Sequence, residues 1–250
     1  MEYNYKDYDR PSVATDVAAF GIDSEKTENK RVLDDKKLKI LLVKRGEEPY
    51  KNLYSLPGGF LRPAETVEQA ALRELKEETG LEDAMLITLK TYSEQDRDPR
   101  GWVISCAFVA LTRTIELNTD DKSDAESAGW FNIEIRNSVI LIDDGIIVIK
   151  IKNGKASSEE LAFDHAQIIY DAYLKLQDEA RTHDIVFNLL PEYFTIADLQ
   201  KPYEMITGKK EASANFRRKM SKKIEETEFY DNDGAMHRPS KLYKRRNEEQ

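Results

Sequence analysis

Gly59-Phe-Leu-Arg-Pro-Ala-Glu65-Thr66-Val-Glu68-Gln69-Ala70-Ala71-Leu72-Arg73-Glu74-Leu75-Lys76-Glu77-Glu78-Thr-Gly80-Leu81 is the stretch on which the reading of this chain turns. Thr66 with Gln69 three residues later forms a capping box, and Gly80 supplies a stop, so the residues between them read as one short helix. Along it Glu74, Glu77 and Glu78 lie three and four residues apart, which at about 100° per residue gathers them into an arc of about 100°. Carboxylates so close repel one another unless something positive sits among them, and hard oxygen ligands suit a divalent cation. Ala70 and Ala71 share that sector one turn earlier and leave room for a ligand. Leu72 and Leu75 face elsewhere, toward a core, and Lys76 points to solvent. Glu65 and Glu68 stand near the helix start, where the macrodipole favours negative charge in any case.

The segment resembles the Nudix box, G-x5-E-x7-R-E-U-x-E-E-x-G-U with U apolar, at all nine specified positions. That resemblance implies a loop–helix–loop that holds Mg²⁺, or Mn²⁺, against a diphosphate. By position, Glu74, Glu77 and Glu78 are the implied metal ligands, with the Gly59 carbonyl as a fourth. Arg73 and Glu65 are the implied ion pair that orients them. Gly58, Gly59 and Arg45 are the implied contacts to the bound nucleotide. The activity implied is pyrophosphohydrolysis of a nucleoside diphosphate linked to another moiety, with ADP-ribose as the family-level expectation. The cation neutralises diphosphate oxygens and makes a bound water more acidic. The general base stays open among Glu78 and the loop acids Glu94, Asp96 and Glu126.

The rest of the chain reads as α+β: a Nudix mixed-sheet α/β/α sandwich followed by a C-terminal winged helix-turn-helix. At 250 residues the chain exceeds one such domain of roughly 150, so a second unit is expected. Strands are read at Ser12–Ile22, Leu38–Arg45, Tyr54–Leu61, Met85–Tyr92, Trp102–Thr112, Ala128–Ile133, Val139–Ile142 and Ile146–Ile151, with Asp23–Lys37 as a charged loop. The polar loop Ser93–Gly101 reads equally as a substrate-reaching loop and as a plain connection. Small polar residues at Lys152–Ser158 mark a boundary, giving a Nudix domain over 1–152 and a winged helix domain over 153–250. Glu160–Arg181 has helical periodicity, and His165 reads there as a partly buried helix residue. The single cysteine, Cys106, sits in an apolar run and reads as a buried, inert strand residue. One cysteine excludes an intrachain disulfide framework, and no basic-then-apolar leader or long uncharged apolar run is present, so a cytoplasmic location is expected.

Charge changes sign along the chain. From Lys209 to Gln250 there are 12 basic and 8 acidic residues, a net of +4; the chain total is −9, which leaves −13 on residues 1–208. An acidic body with a basic end is the asymmetry expected when one module meets a polyanion. Thr195 and Asp198 form a capping box ahead of an apolar repeat running to Ile206, and Gly208 marks a turn. Ser213–Ile224 carries the stripe Phe216, Met220, Ile224, with Arg218, Lys219 and Lys222 largely opposite. Glu225–Asp231 and His237–Arg246 read as strands joined through Asn232-Asp233-Gly234. Helix, turn, basic helix and two-stranded wing make a winged helix-turn-helix pattern. Pro202 falls inside the first helix and should kink or restart it.

Phe194-Thr-Ile-Ala-Asp-Leu-Gln200, Asn215-Phe-Arg-Arg-Lys219 and His237-Arg-Pro-Ser-Lys-Leu-Tyr243, together with the box, resemble the Nudix-related transcriptional regulators. In that family a Nudix domain senses a nucleotide and a winged helix binds double-stranded DNA. The resemblance implies Arg217, Arg218, Lys219 and Lys222 near the groove, Arg238 and Lys241 on the wing touching phosphates, and a homodimer. Many such regulators have a degraded box, whereas this one is intact, so both sensing and hydrolysis remain open.

Overall fold

The computed structural model of the chain describes residues 8–25, 35–117, 125–231 and 239–246. In chain order the strands and first helix are β1 (Ser12–Glu25), β2 (Asp35–Arg45), β3 (Tyr54–Ser55), β4 (Gly58–Phe60), α1 (Val67–Thr79), β5 (Ala84–Tyr92), β6 (Val103–Thr112), β7 (Ala125–Arg136), β8 (Val139–Asp143), β9 (Val148–Lys152) and β10 (Lys155–Ala156). They are followed by α2 (His165–Thr182), a 3-10 turn at Ile185–Leu189, α3 (Ile196–Thr207), α4 (Ser213–Met220), β11 (Ile224–Asp231) and β12 (Ser240–Arg245). Among the described residues no helix is long and apolar enough to cross a membrane.

The central strands are apolar on both sides because a helix covers each face. The sheet runs β10-β9-β8-β7-β2-β1-β6-β5, with β3 on β2 and β4 on β1. β1 is antiparallel to β2 and β4 but parallel to β6, so the sheet is mixed, as expected. Successive residues of a strand alternate sides. Val17, Ala19, Leu41, Phe108 and Ala110 pack with Ala71 and Leu75 of α1. Ala18, Phe20, Ile40, Leu42, Val109 and Leu111 pack on the other side with Ile168, Ile169, Ala172 and Leu176 of α2. This second core continues without a break into Phe194, Leu199, Tyr203, Phe216 and Met220 of the winged helix.

Several expectations need correcting. Leu72 does not face a core but is 40% exposed, and it is Leu75 alone that is fully buried. Ala70 and Ala71 are fully buried and leave no ligand space; Ala71 packs on the strands, which lets α1 lie close to them. Cys106 is only half-buried. Both ends of the expected loop at 23–37 are strand, paired as far as Glu25↔Asp35, while residues 26–34 lie outside the described residues. Residues 160–162 are not helical but bridge to Tyr54, whose N–H donates to the Glu160 carbonyl at 2.7 Å. α2 starts at His165 instead. β10 pairs with β9 across residue 152, so the expected division after 152 falls within a hairpin.

The C-terminal elements differ in one further respect. Pro202 lies inside α3 without ending it. Proline removes one helical donor, but Leu199, Tyr203 and Ile206 bury the same face, and packing outweighs the lost bond. α4 stops at Met220, four residues before the expected end, and Ile224 opens the wing. Phe216, Met220 and Ile224 are nonetheless all buried, so the apolar stripe crosses the change of element.

Leu75→Ala should therefore destabilise the fold by roughly 2–5 kcal/mol through transfer and cavity terms. Leu72→Ala should cost less than about 1 kcal/mol, as an exposed substitution does. Urea denaturation of the two variants tests which leucine α1 buries.

Candidate functional site

The capping box seen in the sequence forms in full: Thr66 Oγ1 accepts from the Gln69 N–H and the Gln69 side chain accepts from the Thr66 N–H. Gly80 ends α1 in the left-handed region at φ 75°. The helix meets the sheet at β4, where two glycines allow an approach no other residue permits. A Cβ on Gly59 would lie 2.4 Å from Glu74 Oε1, and one on Gly58 would lie 2.1 Å from the Thr15 carbonyl. The Gly58 N–H donates to Glu78 Oε2 at 3.1 Å.

The acids divide into two groups. Arg73 donates to both oxygens of Glu65 at 3.0 and 2.7 Å, to Glu74 at 2.6 Å and to the Phe60 carbonyl at 3.2 Å. Its bonds to Glu65 hold the guanidinium charged and hold the Glu65 carboxyl down at about 2. Glu77 turns outward: both its oxygens accept from Arg62, at 3.0 and 2.8 Å, and Arg73 adds a contact at 3.2 Å. Glu78 turns inward. Burial pushes its carboxyl up to about 8, opposed by the Gly58 N–H and reinforced by the charges of Glu74 and Asp16. Among the described residues no three acidic, His or Cys side chains converge as a ready ion cage. The donors have the right chemistry for a hard cation, and Glu74 and Glu78 lie against the same glycine pair. Glu77 has to change partner to join them.

Glu78 opens onto a cleft lined also by Gly58, Gly59, Arg45, Arg97, Asp98, Arg100 and Phe163. Arg45 and Arg100 place their guanidinium carbons 4.8 and 5.3 Å from the Phe163 ring centre, and Arg100 also lies 4.9 Å from Phe60. Asp98 holds Arg100 at 2.7 Å. Behind them is a buried polar network. Arg97 donates to Asp164 at 3.0 and 2.7 Å and to Asp16 at 3.2 Å, and Ser105 also donates to Asp16. His165 Nδ1 accepts from the Leu56 N–H at 2.8 Å, which leaves Nε2 to face Asp16 at 3.3 Å. Burial alone would raise the Asp16 carboxyl; His165, Ser105 and Arg97 together bring it down to about 2. His165 is thus a buried partner within the cleft wall.

The opposite end of α2 holds the winged helix. Tyr173, Gln177 and Arg181, four residues apart, donate to the carbonyls of Met205, Ile206 and Thr207 at 3.5, 2.8 and 3.1 Å. Those are the last carbonyls of α3, which its own backbone leaves unpaired. Of the expected DNA contacts, Arg218 and Lys222 are exposed. Arg217 is folded back onto the Tyr243 hydroxyl at 2.7 Å and Glu226 at 3.0 Å. Lys219 donates to the Tyr203 hydroxyl at 2.6 Å and Glu211 at 3.1 Å. Lys241 lies 4.7 Å over the Tyr230 ring. Arg238 lies outside the described residues.

Residues 31–136 match the NUDIX domain family and residues 186–244 the NrtR DNA-binding winged helix domain. The chain is 40% identical over 137 residues to the ADP-ribose pyrophosphatase of Methanocaldococcus jannaschii, covering 55% of this chain and 67% of that protein. The chain belongs to the Nudix superfamily. It is also 29% identical over 247 residues to the ADPR responsive transcriptional repressor NtrR of Acinetobacter baylyi, covering 97% of this chain and 85% of that one. Shewanella oneidensis NrtR, solved in complex with a 27mer DNA, superposes with a TM-score of 0.66 at 25% identity, covering 94% of this chain and 93% of that one.

Within this Nudix fold Arg73 joins Glu65 and Glu74, while Glu78, Gly58, Gly59 and Arg45 line the cleft. Two candidate bases do not line it. Glu94 caps the Ser93 N–H, and Asp96 lines a separate groove beside Trp102. The Glu126 side chain is outside the described residues. Sequence reasoning missed Asp16 and Phe163, and it gave the loop that carries Arg97 and Arg100 without singling them out. One signal was present: an acid embedded in the apolar run of β1 is costly unless it is paired.

Glu78 carries its raised carboxyl from an unfolded value near 4.5 to about 8, so its contribution to stability is complete below about 4.5 and is lost as pH rises toward 8. In chelator-treated protein, Glu78→Gln should raise unfolding free energy at about pH 8.5 by roughly 1–3 kcal/mol and leave it nearly unchanged at about pH 5. Urea titrations at the two pH values check this.

Proposed function

We propose that the protein is a DNA-binding regulator whose cleft binds ADP-ribose or a related nucleoside diphosphate. The observation that carries this reading is the position of α2. Its first residue, His165, lines the cleft, Asp164 before it holds the cleft residue Arg97, and its last turns hold the C-terminal carbonyls of α3. A ligand that rearranges Arg97 or His165 acts on the same rigid helix that seats the winged helix. The full-length likeness to an ADPR responsive repressor supports the assignment. We place the division between the two units at residues 183–184, after α2, and expect two copies of the chain on a palindromic site in the cytoplasm.

The complete acid set favours a second activity, Mg²⁺-dependent hydrolysis of the same nucleotide. Glu74, Glu78 and the Gly59 carbonyl would hold the cation, with Glu77 joining on leaving Arg62. When bound, it supplies charge neutralisation at the diphosphate and a more acidic water. The chain's own part is positioning: Arg73 fixes Glu74, the Gly58 N–H fixes Glu78, and Arg45 faces the nucleotide. Among the candidate bases whose side chains are described, only Glu78 lines the cleft, and with a cation in place of its own proton it is the acid placed to take one. The likeness to an archaeal ADP-ribose pyrophosphatase supports this part.

Fluorescence anisotropy with DNA from upstream of the gene tests the first reading. The full chain should bind at low salt and release on addition of ADP-ribose; no binding to any upstream fragment at low salt would end it. Arg218→Ala should flatten the log–log salt dependence by about 0.9 if it meets one phosphate. Gln177→Ala/Arg181→Ala should keep ADP-ribose affinity while the nucleotide's effect on DNA binding, about 5- to 150-fold for a typical coupling, falls toward one.

A further inference from the structure

We infer that Arg62 determines how strongly the box takes up a divalent cation, by competing with the ion for Glu77. This rests on the reading that Glu74, Glu77 and Glu78 bind such an ion. Arg62 lies in the loop between β4 and α1, at a position the box leaves unspecified. Its guanidinium meets Glu77 fork to fork, Nη1 on Oε1 at 3.0 Å and Nη2 on Oε2 at 2.8 Å. Arg73 shares Oε2 at 3.2 Å. Bidentate guanidinium pairing is the strongest grip a side chain offers a carboxylate and engages both oxygens at once. Glu77 therefore faces the rim while Glu74 and Glu78 face the glycine pair. A cation that recruits the third acid must first displace Arg62.

The location of the pair makes that displacement possible. The side chains of Arg62 and Glu77 are 58% and 45% exposed, so the pair is screened and weak enough to exchange, unlike the half-shielded Arg73–Glu65 pair at 17% and 15%. The Arg62 main-chain N–H separately holds Glu65, so replacing the side chain leaves the loop anchored. Arg62 thus sets a threshold. Below it the cleft keeps two acids inward and one turned away; above it all three face the ion.

Mn²⁺ titration of the full chain, followed by loss of the free-ion paramagnetic resonance signal, tests this without turnover. Arg62→Ala should bind Mn²⁺ more tightly by roughly 2- to 5-fold, in line with an exposed ion pair. Arg62→Lys keeps the charge but cannot form the fork, and should gain a large part of the same increase. Adding Glu77→Gln to Arg62→Ala should abolish the gain. Equal Mn²⁺ affinity in wild type and Arg62→Ala overturns the inference. So does an Arg62→Lys variant that stays at the wild-type value, which would reduce the effect to net charge. Failure of every variant, wild type included, to bind Mn²⁺ would instead remove the cation reading on which the inference stands. Circular dichroism melts of each variant confirm that the fold is intact.

Discussion

The close contact between α1 and the Gly58–Gly59 pair governs the geometry of everything around it. Side-chain carboxylates normally stay away from backbone because a Cβ intervenes; here the Glu74 carboxylate occupies the volume a Gly59 side chain would fill. The Gly58 N–H donates to Glu78, and the residue's missing side chain lets β4 lie against Thr15 of β1. Two acids are thereby pressed into one half-buried spot, and Glu78 responds by holding its proton far above the usual carboxylate range. A site built in this way is short of positive charge. Arg73 supplies part of it from the helix itself, and Arg62 draws Glu77 away from the crowd.

The second organising feature is α2. Its apolar face belongs to the same core as the sheet and the winged helix, so three elements distant in sequence share one packed interior. Its polar side chains are segregated by end. Asp164 and His165 enter the cleft network, and Asp171 takes the hydroxyl of Tyr92 at the start of the loop that carries Arg97 and Arg100. Tyr173, Gln177 and Arg181 then supply donors that α3 lacks. Packed interiors transmit displacement because they have few alternative arrangements. A helix so anchored relates the cleft to the basic module by geometry alone.

Local signals were legible wherever a short stretch carried its own constraint. The capping boxes at Thr66–Gln69 and Thr195–Asp198, the stop at Gly80, the apolar run of β6 and the basic run at Arg217–Lys219 each formed from neighbours in the chain. The failures share a cause. Leu72 and Leu75 are both apolar, and only the direction from which β1 and β6 approach decides which is buried. The partners of Arg217 and Lys219, namely Tyr243, Glu226, Tyr203 and Glu211, were not legible either, being remote or on another element. Pro202 breaks an isolated helix but is carried through α3 by packing on both sides of it.

What the amino-acid order settled by itself is the chemistry: three acids and an arginine on one capped helix behind two glycines, and a basic helix-turn-helix with a wing. These depend on spacing of a few residues, which backbone geometry converts directly into proximity. What only the tertiary structure decided is which groups share the cleft. Asp16, Arg97, Asp164 and His165 come from a strand, a loop and a helix separated by up to 149 positions, and they meet because β1 lies at the centre of the sheet with α2 across it. No local pattern encodes that meeting, since it follows from how the sheet's strands are ordered and which face each helix covers.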